Sequence, residues 1–143
     1  MPSQESKYLE TLYQDWAARM AAEPEMTMEG LRSLFDEWEK ATLEPEEVTY
    51  KSDNVAGINV IWALPVGADK SKVLLYTHGG GFAVGSASSH RKLAGHMAKA
   101  LGTTSIVLDY RLAPENPYPA QIEDAVAVYQ ALLSQGIKPE NVT

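Results

Sequence analysis

Two short, almost unbroken apolar runs, Val73-Leu74-Leu75-Tyr76-Thr77 and Ser105-Ile106-Val107-Leu108, constrain this chain more than any other feature. Runs of that kind belong to strands covered on both faces, as in a parallel sheet. Between them Leu93, Met97, Ala98, Ala100 and Leu101 recur at helical spacing, with Ser88 or Ser89 as a start and Gly102 as a stop. Strand, helix and strand in that order form a βαβ unit, so the fold class is α/β. A further helical stripe, Ile122, Ala125, Val126, Tyr129 and Leu133, spans about 121–134 before Gly136. Upstream, residues 47–52 and 58–64 carry β-branched and aromatic side chains around the turn-prone Asp53-Asn54 and Gly57, which predicts an antiparallel pair.

The first 45 residues read differently. They hold 10 Asp/Glu against 4 Lys/Arg, whereas residues 46–143 hold 9 against 8. This shift sets a boundary near Pro45 and two segments, 1–45 and 46–143. In the first, Tyr8, Leu9, Leu12, Tyr13, Trp16 and Met20 form one helical stripe behind a Ser3 cap. Met28, Leu31, Leu34, Phe35 and Trp38 form another behind Thr27, after Pro24. Trp16, Phe35, Trp38, Met20, Met26 and Met28 read first as packing stripes and second as the lining of an adaptable pocket.

Charge and composition exclude several classes. A net charge of -7 repels phosphate backbones, so nucleic acid is not an expected partner. The absence of Cys removes disulfides, thiolate nucleophiles and Cys-ligated metal. Neither an apolar signal core after Met1-Pro2-Ser3 nor a long apolar run is present, which gives the expectation of a cytoplasmic chain with no membrane contact. His90 and His96 are six residues apart, not a ligand pair at one helical turn, so no metal site is expected.

The chemistry lies in the loop after the first buried strand, His78-Gly79-Gly80-Gly81-Phe82. Three consecutive glycines permit positive φ and remove every Cβ, so neighbouring backbone N–H groups can converge on one small anion. No dinucleotide-type glycine pattern is present and no helix follows at once, which argues against a phosphate cradle. Converging amides suit the oxygen of an ester carbonyl as it becomes negative.

That loop, followed by Asp109-Tyr110-Arg111-Leu112-Ala113-Pro114-Glu115 and then Tyr118-Pro119-Ala120, resembles the hormone-sensitive-lipase-like esterases of the α/β-hydrolase fold, over about residues 45–143. The resemblance implies the N-terminal half of such a fold, with a mostly parallel sheet, and N-terminal helices forming a cap over an acyl pocket. It implies a serine carboxylesterase needing no cofactor, in which Gly79 and Gly80, with Gly81, bind the oxyanion. His78 and Gly81 would support the loop, and Phe82 is the candidate for touching substrate. His78 as a catalytic base is disfavoured, because it precedes the turn with no nucleophile in reach.

No Ser has Gly two positions before and two after it, so the nucleophile, acid and base are expected downstream, and residues 1–143 alone are expected to be inactive. The next strand would begin after Asn141 and pair with 73–77, so the remainder of the same protein is the expected partner, alongside a small ester; self-association is a further option. A lactonase, an amidase or a non-catalytic small-molecule receptor on the same fold are the alternatives. Asp109, Arg111 and Glu115 read as an ion pair bracing their loop, with Tyr110 and Tyr118 packed against it, and Asp124 as a first-turn charge suited to its helix dipole.

Overall fold

The computed structural model describes residues 3–143. Met1 and Pro2, the start of the stretch read for a targeting signal, lie outside them. Helix α1 (Gln4–Ala22) and helix α2 (Met28–Asp36) lead through a 3-10 turn (Glu37–Ala41) into strands β1 (Val48–Val55), β2 (Ile58–Pro65) and β3 (Asp69–Thr77). Helix α3 (Ala87–Leu101), strand β4 (Thr103–Leu108), helix α4 (Ala120–Ser134) and a second 3-10 turn (Pro139–Asn141) follow. The strands form one sheet in the order β1-β2-β4-β3.

The expected βαβ unit is present: β3 and β4 run parallel, with Leu75 opposite Ile106 and Thr77 opposite Leu108, and α3 makes the crossover. The expected mostly parallel sheet needs correction for this part of the fold, because β1–β2 and β2–β4 are both antiparallel. The reason is local. Ala56 and Gly57 both take positive φ (53° and 85°) between the paired residues Val55 and Ile58, and a two-residue turn of that form can only fold a strand back on itself. Asp53-Asn54, expected to make the turn, instead extends β1 opposite Val60 and Asn59.

On the far side of β3 a second parallel neighbour begins, as the sequence predicts. Val142 bridges to Val73, Thr143 N–H donates to Val73 O at 3.0 Å, and Leu75 N–H donates to Thr143 O at 2.8 Å.

Side chains alternate across β4, and this places the layers. Ile106 and Leu108 enter a core with Val60, Val73, Val128 and Leu132, which seats α4 on one face. Val107 meets Ala87 and Ala94 of α3 on the other. All three β4 residues are fully buried, so the strand is apolar on both faces, as the unbroken run requires. Helix α3 starts at Ser86 rather than Ser88 or Ser89. The Ser86 side chain accepts from Ser89 N–H while Ser89 Oγ accepts from Ser86 N–H, a reciprocal cap, and Gly102 closes the helix at φ 66°.

The N-terminal helices have the caps read from the sequence: Ser3 accepts from Ser6 N–H and Thr27 from Gly30 N–H, both at 3.1 Å. Their shared core is small, Leu12, Trp16 and Leu34 with Met26, Trp38 and Ala41 around them. Charge fastens the acidic segment to the rest. One side of α3 presents Arg91, which forks onto Glu44 at 2.6 and 2.9 Å. Lys92, His96 and Lys99 donate to the carbonyls of Glu39, Leu43 and Glu46 at 2.8–3.1 Å. No helix among the described residues is long and apolar enough to cross a membrane.

Candidate active site

The two loops that resemble the esterase motifs leave the C-terminal ends of the parallel strands β3 and β4, the edge where open α/β sheets bind their ligands. After Thr77, Gly80 and Gly81 take φ values of 129° and 59°, and Phe82 follows at 61°. The Gly80 carbonyl accepts from Ala83 and Val84 N–H, both at 3.1 Å, so the chain doubles back immediately after the glycines. A Cβ at Gly80 would overlap the Val84 carbonyl, so no other residue fits the turn. The N–H groups of Gly79, Gly80 and Gly81 donate to no other group among the described residues.

Gly79 and Gly80 border a cavity of about 230 Å³, with Gly85 and His90 on the same side and Tyr13, Trp16, Phe35 and Trp38 of the N-terminal helices opposite. The aromatic rings pack edge-on or tilted against one another at 5.5–5.7 Å, which holds them in place without closing the space. The cavity is therefore mainly aromatic on the helical side, with glycine backbone and one imidazole on the other.

His78 is buried and stands behind the loop. Gly79 O can only accept, so the 2.9 Å contact fixes the Nδ1–H tautomer of His78. The buried Nε2 is left with no partner among the described residues. Tyr110 stacks on the imidazole at 4.2 Å and donates its hydroxyl to His78 O at 2.6 Å. Burial, reinforced by the Asp109 charge, pushes the Tyr110 hydroxyl up to about 12, so it remains a donor. The His90 ring stacks on the other side of His78 at 5.4 Å. Burial pushes both imidazoles below the usual histidine range, more than the Gly79 bond to His78 and the Ser86 bond to His90 restore, so the pair sits neutral.

The structure brings together His78, Gly79, Gly80 and Gly81 and sets Trp16, Phe35 and Trp38 across from them, while Met20 is exposed. Phe82 does not line the cavity; it is half exposed, edge-on to Tyr110, and its carbonyl accepts from Ala113 N–H at 2.8 Å. The expected bracing pair is different. Arg111 binds Asp124, not Asp109 or Glu115: its Nη2 lies 2.7 Å from Oδ1, and its own backbone N–H donates to Oδ2 at 2.8 Å. Asp124 is thus buried against the preceding loop, a sufficient reason for its position apart from any dipole. Asp109 accepts from Ala87 N–H at the start of α3.

Two participants carry no distinctive sequence signal. His90 reads as one histidine in a helix, and Tyr13 as part of a packing stripe. Arg32 belongs with them: from α2 it reaches Ala83 O, Ala113 O and the Glu115 carboxylate. The Arg32 bond is also the main cause that holds the Glu115 carboxyl below its usual value.

Known proteins with these features agree with one another. The α/β hydrolase fold family matches residues 74–143. An acetyl-hydrolase of Streptomyces hygroscopicus is 48% identical over 82 residues, covering 57% of this chain and 27% of that protein. A putative acetyl-hydrolase, LipR, of Mycobacterium tuberculosis is 37% identical over 111 residues, 78% of this chain and 36% of that protein. Among solved structures, an esterase of the bacterial hormone-sensitive lipase family superposes with a TM-score of 0.88 at 34% identity, covering 99% of this chain and 46% of that one. A hormone-sensitive lipase from a metagenome library gives 0.83 at 31%, covering 98% and 46%. The chain thus spans less than half the length of the solved relatives and about a third or less of the curated ones.

The fold is that of an α/β hydrolase, here with a four-stranded sheet among the described residues. Within that fold the chain is similar to acetyl-hydrolases and to esterases of the hormone-sensitive lipase family.

Proposed function

We propose that this chain provides the oxyanion loop and part of the acyl pocket of a serine carboxylic-ester hydrolase. The observation that carries the reading is the pair of N–H groups on Gly79 and Gly80, without partners among the described residues, at the edge of a largely aromatic cavity of about 230 Å³. A serine supplied by the intact protein beyond this chain attacks the ester carbonyl. The carbonyl oxygen takes up the negative charge, the glycine amides bind it, the alcohol leaves, and water then releases the acid from the acyl-enzyme. Because those amides are already held in place, little reorganisation accompanies the appearance of charge.

In the same reading, the N-terminal helices act as a cap that excludes water, residues 1–143 alone give no turnover, and Phe82 meets the substrate beyond the cavity wall. The short acyl groups that fit the space match the acetyl-hydrolases among the relatives. Hydrolysis of p-nitrophenyl acetate and longer p-nitrophenyl esters by the intact protein tests this. The wild type turns over the short ester, and Gly80→Ala loses roughly 10²–10³-fold in kcat. Phe82→Ala alters the preference for acyl length. No turnover by the intact wild type, or an undiminished Gly80→Ala enzyme, would overturn the reading.

A further inference from the structure

The oxyanion turn is a run of small residues with few contacts of its own, so something outside it must hold its shape. The Asp109–Glu115 loop does so from one side, through Ala113 N–H to Phe82 O. From the other side one side chain reaches both loops. Arg32 Nε donates to Ala83 O at 2.9 Å, its Nη2 donates to Ala113 O at 2.9 Å, and its two terminal nitrogens fork onto Glu115 at 3.0 and 2.6 Å. Ala83 N–H in turn donates to Gly80 O. The chain of contacts therefore runs from the cap helix, through a single guanidinium, to the residue whose amide faces the developing charge.

We propose that Arg32 is a positioning residue for the oxyanion turn, which makes the geometry of Gly79 and Gly80 conditional on the seating of α2. This rests on the esterase reading above for its catalytic meaning, but not for its mechanical one. The two carbonyl bonds matter more than the ion pair. Glu115 is more than half exposed, and water screens such a pair. The planar fork can serve two carbonyls and a carboxylate at once, which a lysine ammonium cannot reproduce.

The test uses the intact protein with Arg32→Lys and Arg32→Ala, and Arg19→Ala as a control. Arg19 pairs with Asp15 and Glu37 inside the helical segment and touches neither loop. Two readouts are taken: steady-state kinetics with p-nitrophenyl acetate, and amide hydrogen exchange at Ala83, Val84 and Ala113 compared with β4. Both Arg32 variants are expected to lose about tenfold in kcat, or ~1.4 kcal/mol of barrier, with KM changing less than about twofold. Exchange at the three loop amides rises about tenfold or more while β4 keeps its protection. The Arg19 variant matches wild type in both. Wild-type kcat in Arg32→Lys, a change confined to KM, or loop exchange equal to wild type would overturn the proposal. A wild type without ester turnover would overturn the esterase reading instead, and the exchange rates would then decide alone whether Arg32 holds the turn.

Discussion

The sheet with its two flanking helices and the N-terminal helical segment are held by different forces. In the first, Ile106, Val107, Leu108, Val128 and Leu132 are completely removed from water, and the helices α3 and α4 are seated by that burial. In the second, only Leu12, Trp16 and Leu34 are buried together among the described residues, and the segment is fixed to the rest through Arg32, Arg91, Lys92, Lys99 and the Ser86–Asp36 hydrogen bond. Burial is non-directional and insensitive to salt, while charged and polar fastenings are directional and screened. The cavity lies at the seam, with one wall from each region. A rigid wall thus carries the amides, and a wall that can be loosened separately carries the aromatic lining.

The comparison can be broken most forcefully from the sheet side. Ile106→Ala should lower unfolding stability by about 2–5 kcal/mol in urea, with both regions lost in one transition. Survival of β-sheet circular dichroism with an unchanged midpoint would refute the division. Next in size is the Arg111–Asp124 contact. Asp124→Asn removes the charge from three short hydrogen bonds, one of them to a backbone amide, and should lower stability by about 1–3 kcal/mol. Adding salt should recover none of this loss.

Smaller still is the acid response of the seam, where His78 and His90 are stacked. Their folded-state values lie below the unfolded value of 6.5, so the unfolded chain binds more protons between the two. The neutral pair contributes its full stability above about 6.5 and loses it as the pH falls. The slope is at most about 1.4 kcal/mol per pH unit for each ring. His90→Gln should flatten the stability profile between pH 7 and 5; an equally steep profile would place the response elsewhere.

Legibility followed the same division. Strand β4, the 73–77 part of β3, helix α3 and its Gly102 stop are written in the sequence because buried strands demand unbroken apolar runs and the helix between them demands a 3.6-residue period. The exposed start of β3 at Asp69 carries no such run. The hairpin turn is legible in part: Gly57 is in it, but its partner is Ala56 in a left-handed conformation, where Asp53-Asn54 is the better chemical candidate. The α3 cap is ambiguous in the sequence because three serines qualify, and only the reciprocal bond with Ser89 selects Ser86. The glycine loop was legible as a device, since three missing side chains in succession have few other uses. The polar fastenings were not. Arg111 has four carboxylates nearby in sequence, Asp109, Glu115, Glu123 and Asp124, and its pairing with the last two depends on where α4 begins. Arg32 looks like the solvated side of an amphipathic helix until folding brings residues 83, 113 and 115 to it.

Gly85 lies outside the glycine run. A methyl group there would stand 2.7 Å from Gly79 O and 3.0 Å from His78 Nδ1. Gly79 O and Gly80 N–H are the two ends of one flat peptide unit, which tilts as a plank tilts on its pivot. Whatever displaces the oxygen at one end must swing the hydrogen at the other, so a residue six positions beyond Gly79 sets the aim of an amide it never touches.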